Sequence, residues 1–319
     1  MRTSLAVVPP FRLDLTVTVL RRLPANPVEV LSEGRYLRAF QTPRGPVAWV
    51  VTHRPGAARL EIELHGDAGD PAPWRRRVAR ALGVEVDLAS FYARTRRYPR
   101  VAEMARSLHG VKPPRFQSLH ETFASVLLFQ QVSLASALAT LRRLVVALSP
   151  PIEVAGVALR PFPSAEAIAA CSEAELRAFG MSGAKARALG AAARAVASGA
   201  LSEAELEGLP SDALEARLIG LAGVGPWTAA LVMLRGLGRL DRFPPGDVAA
   251  DRLLRELGSA GSGKALLSLL GDRRGMLYYL LFLDRMAREG KAPFSPVPSP
   301  TTEPLPARAR TREGRAGRP

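Results

Sequence analysis

Apolar and polar residues alternate through the first part of the chain, between residues 11 and 66. A period of two, interrupted by Pro and Gly, is typical of β-strands. The segment from Leu60 to Leu64 is the clearest case, because its apolar positions alternate with glutamates and so separate a core face from a water face. We therefore predict one antiparallel sheet. Its apolar positions are Leu13, Leu15, Val17, Val19, Tyr36, Leu37, Phe40, Val47, Trp49, Val51, Leu60, Ile62 and Leu64.

The period becomes helical after the Asp-Pro-Ala-Pro segment at residues 70–73 and stays helical to about Gly290. Ser118 and Glu121 have capping-box spacing before the apolar run 123–138. The pattern predicts an all-α bundle, so the fold class is α+β, with a sheet domain at 1–87, a helical domain at 88–290 and a basic, Pro- and Arg-rich tail at 291–319. We predict a disordered tail. Serines that precede helical patterns as N-caps do are Ser164, Ser172, Ser182 and Ser211.

Composition narrows the class of protein. The chain has 319 residues, 47% of them hydrophobic, which is enough for more than one domain. Its net charge of +15 favours a polyanionic partner, although an Arg-rich composition without a partner gives the same number. The single cysteine, Cys171, excludes a disulfide framework and a metal cluster held by cysteines. No apolar run approaches the roughly 20 residues that span a bilayer, so we expect a cytoplasmic protein without a membrane segment.

A glycine turn joins two predicted helices within residues 211–238. Ser211 precedes the first helix, and Pro226 suits the first turn of the second, where its missing N–H is not needed. Gly223 and Gly225 allow close backbone approach and leave amide hydrogens at a helix N-terminus facing outward. Such a turn can bind a DNA phosphate without reading sequence. A tight turn between helices that binds nothing has the same glycines.

Two other patterns are rejected. Residues 258–264 have the spacing of a phosphate-binding P-loop, but Ala265 stands where the Mg²⁺-binding Ser or Thr belongs, and a helix precedes the segment. The four histidines, His53, His65, His109 and His120, have no metal-ligand spacing.

Two segments together carry a resemblance to a known family. They are LAGVGPWTAALVMLRG at 221–236 and FPPGDVAADRLL at 243–254, where Asp247 stands at the N-cap position of a helix. They resemble the helix-hairpin-helix and aspartate signature of the HhH-GPD DNA glycosylase superfamily. Within this superfamily, the resemblance is strongest to the bacterial 3-methyladenine DNA glycosylase II family. FQQVS at 129–133, which is predicted to lie in a helix, and the FGMSGAKA turn at 179–186 extend the resemblance. The resemblance implies that the helical domain has two halves with a cleft between them. One half is residues 112–231, and the other combines residues 88–111 with residues 232–290.

The resemblance implies a catalytic role for Asp247. Cleavage of an N-glycosidic bond builds positive charge on the deoxyribose, which a carboxylate stabilises while it orients or deprotonates water. Trp227 stands where relatives with lyase activity carry a Schiff-base lysine, so the implied enzyme is monofunctional and leaves an abasic site. We expect Asp241 and Asp251 to be surface or ion-pair residues. Arg252 is expected to pair with a phosphate or with Glu256.

The resemblance also implies a base pocket. Trp227 matches a pocket tryptophan that suits a cationic methylated base, the alternative being ordinary core packing. Gln131 matches the wedge that fills the gap left by a flipped nucleotide and Gln130 a pocket residue, although both can equally face solvent. The pocket is less aromatic than the family pattern, which leaves the substrate range open. Its remaining positions are Leu231, Val248 and Phe282, and Tyr278 and Tyr279 on the last helix can substitute.

The hairpin completes the implied site. Gly223, Val224, Gly225 and Thr228 match phosphate-binding positions, and the carbonyls of Ile219, Leu221 and Val224 match a site for Na⁺ or K⁺. No other cofactor is expected. We expect a cytoplasmic, nucleoid-associated monomer that removes alkylated purines of the 3-methyladenine type from double-stranded DNA. The alternatives are a non-catalytic DNA-binding or damage-sensing protein and a glycosylase for oxidised or deaminated bases.

Overall fold

The computed structural model describes residues 1–257 and 262–291. The fold is α+β, as predicted: a five-stranded antiparallel sheet, ordered β1-β5-β4-β3-β2, precedes most of the helices, and a short antiparallel hairpin lies between two of them. The strands are β1 (Arg2–Ala6), β2 (Val30–Ser32), β3 (Arg35–Thr42), β4 (Gly45–Thr52), β5 (Arg59–His65), β6 (Ile152–Val154) and β7 (Val157–Leu159).

The predicted strands around Tyr36, Val47 and Leu60 are confirmed as β3, β4 and β5. In β5 the apolar positions are buried while the glutamates face outward, as the alternation requires. β1 was missed, although its backbone pairs with β5 along the sheet edge. The segment 152–159 was predicted to be helical, and this is wrong. Ala155 and Gly156 both have positive φ, which matches a tight two-residue hairpin turn, and the hairpin covers the outer face of β3 and β4.

Residues 13–21 form a helix, α1 (Leu13–Arg21), and the strand predicted there is wrong. The alternation misled because the helix is buried on every side: Val17 packs in the sheet core, Val19 packs in the helical core, and Thr16 and Thr18 between them are also buried. The threonine hydroxyls donate to backbone carbonyls four residues earlier, at 2.8 and 2.7 Å. A polar residue therefore does not mark a water face here.

The helical part confirms most of the predicted caps. The side chains of Ser164, Ser172 and Ser182 each accept a backbone N–H at the start of a helix, whereas Ser211 is the first helical residue and caps nothing. The helices that follow α1 are α2 (Pro71–Leu82), α3 (Ala89–Thr95), α4 (Pro99–Ser107), α5 (Leu119–Leu128), α6 (Leu134–Leu148), α7 (Ala165–Ala169), α8 (Glu173–Ala178), α9 (Gly183–Ala197), α10 (Glu203–Gly208), α11 (Ser211–Ile219), α12 (Pro226–Arg235), α13 (Val248–Leu257), α14 (Ser262–Leu270) and α15 (Arg274–Arg288).

A buried ionic network joins the sheet to α5. Arg38 of β3 pairs with Glu29 and, at 2.6 Å, with Glu121 of α5. The phenol of Tyr36 donates to Glu29 at 2.6 Å, and burial raises the pKa of Glu29. Glu121 therefore bonds to the sheet rather than back to Ser118, which caps the helix without a reciprocal box. Such a network is costly to break, because removal of one partner leaves a buried charge without compensation.

Some predictions fall outside this description. The P-loop-like segment overlaps residues 258–261, and the predicted disordered tail overlaps 292–319; both stretches lie outside the described residues. Within the described part of the chain, none of the helices combines the length and apolar character that a bilayer crossing needs. The domain boundary at 87 and the two helical halves stay predictions.

Candidate active site

A cavity of about 730 Å³ opens where the end of α1, the loop between α5 and α6, α12, the start of α13 and α15 come together. The cavity brings together most of the predicted pocket residues, together with Asp247. The predicted residues that line it are Gln130, Gln131, Gly225, Trp227, Thr228, Leu231, Asp247, Val248, Tyr278 and Phe282.

The carboxylate of Asp247 is held by both oxygens. Oδ1 accepts the backbone N–H of Ala250 at 3.0 Å, so the predicted N-cap is confirmed. Oδ2 accepts the indole N–H of Trp227 at 3.1 Å and the phenol of Tyr278 at 3.3 Å. A cap requires only one oxygen. The second oxygen lies in the cavity with two donors that fix its position, which is an arrangement suited to charge stabilisation at a bound ligand.

Tyr278 and Tyr279 have different roles, although both lie on α15. Tyr279 is fully buried in the core, where its hydroxyl donates to the carbonyl of Leu234 at 3.2 Å. Tyr278 lines the cavity, and burial together with the negative charge of Asp247 raises the pKa of Tyr278 to about 12. The phenol therefore stays protonated at neutral pH and remains a hydrogen-bond donor to the carboxylate.

The two glutamines lie in a loop, so the helix predicted at residues 129–133 is wrong. α5 ends at Leu128 and α6 begins at Leu134, with Ser133 as its N-cap. Gln131 is exposed and has φ of 51°, which breaks the helix at the mouth of the cavity. Gln130 points inward, and its amide donates to Thr228 Oγ1 at 2.6 Å.

Lys185, at the N-terminus of α9, holds this loop in place. Its ammonium donates to the carbonyl of Gln130 at 2.6 Å and to that of Leu128 at 3.2 Å. Leu128 is the last residue of α5, where backbone acceptors lack partners within the helix, and Gln130 follows in the loop. The FGMSGAKA segment therefore contributes a cation that fixes the loop carrying Gln131.

The two hairpin glycines differ in their surroundings. Gly223 has φ of +79°, and a Cβ on it would lie 2.6 Å from the Cβ of Ala188 on α9. Gly225 has φ of −93°, is the N-cap of α12 and faces open space, with no atom within 4 Å of a Cβ built on it. Gly223 is thus needed by the fold, whereas Gly225 leaves room for an external group beside the first amides of α12.

Several predicted residues have other surroundings than expected. Thr228 was assigned to phosphate, but its side chain is buried and bonded to Gln130 in the cavity. Leu231 is buried at the cavity wall, and Val248 lines the cavity although the residue is 82% exposed. Phe282 lies in the wall below the guanidinium of Arg285, 5.8 Å from the ring centroid.

The competing aspartates lie away from the cavity. Asp241 pairs with Arg242 at 3.9 Å, as expected of an ion-pair residue. Asp251 lies one turn beyond Asp247 on α13, and neither aspartate lines the cavity. Arg252 pairs with Glu256 at 3.6 Å, one of the two partners suggested for it.

Sequence reasoning missed the arginines of the cavity. Arg22 follows α1, Arg235 ends α12 and Arg285 lies on α15, and all three line the wall. Arg22 and Arg235 are almost completely buried. No local pattern could have revealed Arg22, because the segment that carries it was predicted to be a strand, and it reaches the site only through packing of α1.

Comparison with known proteins agrees with this geometry. Residues 124–266 match the model of the HhH-GPD superfamily base excision DNA repair proteins. Over these residues the chain is therefore similar to the HhH-GPD superfamily. The matched segment spans the loop of Gln130, the hairpin and Asp247, and so includes most of the cavity wall.

Curated relatives and a solved structure add to the family match. The chain is 29% identical over 195 residues to a DNA-3-methyladenine glycosylase of Bacillus subtilis, a match that covers 60% of this chain and 64% of the relative. It is 27% identical over 239 residues to a probable bifunctional transcriptional activator/DNA repair enzyme AlkA of Mycobacterium tuberculosis, covering 75% of this chain but only 47% of the relative. The chain thus spans about half to two thirds of these relatives.

The similarity in fold extends beyond the matched segment. A 3-methyladenine DNA-glycosylase from Archaeoglobus fulgidus superposes with a TM-score of 0.74 at 23% identity, covering 89% of this chain and 98% of that structure. The arrangement of N-terminal sheet and helices is therefore shared across almost the whole described chain.

Proposed function

We propose that this protein is a monofunctional DNA glycosylase, which flips an alkylated purine of the 3-methyladenine type out of double-stranded DNA and hydrolyses its N-glycosidic bond. The observation that carries the proposal is the carboxylate of Asp247 in the cavity. One of its oxygens caps α13, and the other accepts hydrogen bonds from Trp227 and Tyr278. The name of the Bacillus subtilis relative supports the class of substrate.

The chemistry follows from the position of the carboxylate. As the bond between C1′ and the base nitrogen breaks, positive charge grows on the deoxyribose, and Oδ2 of Asp247 stabilises it. The same carboxylate orients the attacking water or takes its proton. Trp227 and Tyr278 hold the oxygen in place before the reaction, so little reorganisation is needed when the charge develops.

Water is the proposed nucleophile because the amines near the site are engaged elsewhere. Lys185 bonds to the carbonyls of Leu128 and Gln130. Lys291 lies at the mouth of the cavity, where it pairs with Glu289 at 2.7 Å. A Schiff base requires a free amine at C1′. The product is accordingly an abasic site in an uncut strand.

The hairpin is the proposed grip on the DNA backbone. Gly225 leaves the first amides of α12 open to a phosphate, and the strongly positive chain attracts the duplex at longer range. We propose that Gln131 enters the gap that the flipped nucleotide leaves, which its exposure at the mouth of the cavity supports. We propose that the enzyme acts as a monomer, in the cytoplasm and associated with the nucleoid.

We also propose that backbone oxygens of the hairpin bind Na⁺ or K⁺, as the family resemblance implies. The N–H of Val224 donates to the carbonyl oxygen of Leu221 at 3.1 Å. That oxygen has a second lone pair, which is available for an ion. Carbonyl oxygens are suitable ligands for such hard cations. The carbonyls of Ile219, Leu221 and Val224 would hold the ion, which would supply positive charge toward a phosphate.

The test uses duplexes that each contain one defined lesion, with alkaline cleavage to reveal abasic sites. Asp247→Asn keeps the cap acceptor and is expected to lower the single-turnover release of 3-methyladenine by about 10² to 10³-fold. Asp251→Asn, one turn along α13 and outside the cavity, is the matched control and is expected to leave the rate unchanged. Borohydride is expected to trap no protein–DNA adduct.

Each outcome bears on one part of the proposal. Normal release by Asp247→Asn refutes the role of the carboxylate. A trapped adduct refutes the monofunctional mechanism. Tight binding to damaged DNA without release of any base by the unaltered protein refutes catalysis and supports the damage-sensing alternative.

A further inference from the structure

Arg22 lies in a strained turn at the end of α1. Its φ of 62° and ψ of −65° are those of the γ-turn with positive φ, which is rare and strained for a residue with a side chain. The hydrogen bond that defines such a turn is present, because the N–H of Leu23 donates to the carbonyl of Arg21 at 2.8 Å. The side-chain amide of Asn26 donates to the same carbonyl at 3.1 Å and braces the turn. Strained backbone persists only where the surrounding structure holds it, and it clusters at functional sites.

The side chain that leaves this turn packs on an aromatic ring. Arg22 is only 8% exposed, and its guanidinium carbon lies 3.6 Å from the centroid of the Phe129 ring. Within residues 1–257 and 262–291, the guanidinium takes part in no ion pair and no hydrogen bond. The ring face is thus its main contact, and an interaction between a cation and a ring is strongest where water is excluded.

Phe129 is the first residue of the loop 129–133, which carries Gln131. Lys185 bonds to the carbonyls on either side of Phe129 and so fixes the backbone there. Arg22 holds the ring of the same residue from another part of the chain. Gln131 has φ of 51°, which residues with a side chain seldom adopt, so the loop needs such support to keep its conformation.

The support behind Arg22 is itself firmly packed. α1 is buried between two cores, with Val17 in the core of the sheet and Val19 in the core of the helices. The helix therefore ties the N-terminal sheet to the helical part of the chain. Arg22, which follows it directly, extends this tie to the loop at the mouth of the cavity.

A loop that enters DNA works best when it is fixed before the DNA arrives. Flipping costs the stacking and pairing energy of the base, and contacts that fill the gap offset that cost. A mobile loop would lose conformational freedom on entering the gap, which would reduce this gain. A loop that is already fixed loses less freedom, so more of its contact energy stabilises the flipped state.

We propose that Arg22 is a positioning residue for base flipping, which fixes the loop 129–133 through Phe129 so that Gln131 can enter the duplex. The N-terminal sheet then takes part in the reaction, through α1 and this one side chain, and does more than stabilise the fold. This role rests on the proposed glycosylase function. It concerns the step before bond cleavage and applies to whichever alkylated purine is removed.

The test compares one lesion, 7-methylguanine, in two settings within otherwise identical duplexes. In one duplex it is paired with cytosine, and in the other it lies opposite a tetrahydrofuran abasic analogue and has no pairing partner. Flipping costs less from the unpaired position, so bond cleavage limits release there. Single-turnover release by the full chain is measured with enzyme in excess. The ratio of the paired to the unpaired rate isolates flipping and does not depend on the fraction of protein that is folded.

Four variants separate the contact from its surroundings. Arg22→Gln removes the charge and the stacked plane. Arg22→Gly does the same and accepts φ of 62° without strain, so it is the second variant should the glutamine variant fail to fold. Phe129→Leu removes the ring and keeps an apolar side chain. Arg21→Gln is the matched control, because Arg21 directly precedes Arg22 and lies outside the cavity wall.

Arg22→Gln, Arg22→Gly and Phe129→Leu are each expected to lower the ratio about tenfold, which corresponds to about 1.4 kcal/mol. A change of this size is within the range of a desolvated contact between a cation and a ring. Arg21→Gln is expected to leave the ratio unchanged. Because Arg22 and Phe129 act through one contact, the double variant Arg22→Gln/Phe129→Leu is expected to lower the ratio no further than either single change.

Three results overturn the inference. Equal slowing of paired and unpaired release by Arg22→Gly means that Arg22 only supports the fold. Unchanged rates in Arg22→Gly and Phe129→Leu mean that the contact has no part in flipping. Losses that add in the double variant mean that the two side chains act separately. If the unaltered protein releases 7-methylguanine from neither duplex and no 3-methyladenine from methylated DNA, the glycosylase function itself has failed, and the role of Arg22 falls with it.

Discussion

The two hairpin glycines give a sharp test, because the same substitution should affect stability at one and DNA binding at the other. Gly223 has φ of +79°, where an L-residue costs roughly 1–2 kcal/mol. An alanine Cβ there would also lie 2.6 Å from the Cβ of Ala188, and relief of such overpacking costs typically 1–3 kcal/mol. We expect Gly223→Ala to lower the free energy of unfolding by roughly 2–5 kcal/mol.

Gly225→Ala should behave in the opposite way. Its φ of −93° is open to any residue, and no atom lies within 4 Å of the added methyl. The lower entropy of the unfolded chain favours alanine by about 0.4–1 kcal/mol, and the weaker N-cap offsets that gain, so the free energy of unfolding should change by less than about 1 kcal/mol. The methyl group does, however, fill the space beside the first amides of α12, where the phosphate is proposed to bind.

The assays are urea unfolding followed by circular dichroism and titration of a fluorescent duplex followed by anisotropy. Gly225→Ala is expected to weaken DNA binding about tenfold with near-normal stability. Gly223→Ala, at a temperature where it is still folded, is expected to be mainly unstable. Normal DNA affinity of the Gly225 variant would refute the hairpin as the phosphate site, and normal stability of the Gly223 variant would refute the packing argument.

Two further predictions concern lysines. Lys185→Met removes the hydrogen bonds to the carbonyls of Leu128 and Gln130, each worth roughly 1.5–3 kcal/mol, and is expected to slow base release about tenfold in the single-turnover assay, with Lys185→Arg less affected. Lys112 is completely buried, and burial lowers its pKa to about 8. In the unfolded chain the pKa of Lys112 keeps its ordinary value of 10.5, so between pH 8 and pH 10.5 the unfolded chain binds more protons than the folded one. The free energy of unfolding of the unaltered protein, measured in urea relative to that of Lys112→Met, should therefore rise by roughly 1–3 kcal/mol from pH 8 to pH 10.5. A difference that stays flat or falls would contradict this.

Local signals in the sequence were sufficient for the features that depend on neighbours along the chain. The strand at Leu60, the caps at Ser164, Ser172 and Ser182, and the turn between α11 and α12 follow from period, cap chemistry and glycine. Asp247 was also visible, because a helix cap after a Pro-Pro-Gly break is a local pattern.

The sequence pattern predicted the wrong secondary structure where a helix is buried on both faces and where a loop interrupts an apolar run. α1 was predicted to be a strand because its alternation was real, yet the helix packs between two cores and buries both sets of positions. The break at residues 129–133 lies inside the apolar run 123–138 and was not predicted, and its conformation depends on Lys185 from a distant helix.

The sequence by itself determined the α+β class and the hairpin, since each rests on patterns within a few turns of chain. Its resemblance to a known family singled out Asp247 as the residue to which the proposed chemistry is assigned. Only the tertiary structure decided how that residue is used. Trp227 and Tyr278 meet on one oxygen of Asp247 although 51 residues of chain separate them from first to last, and Arg22 reaches the same cavity from the other end of the protein. Such contacts are set by how helices pack, and packing depends on the shape and burial of the whole core rather than on the period of any one segment.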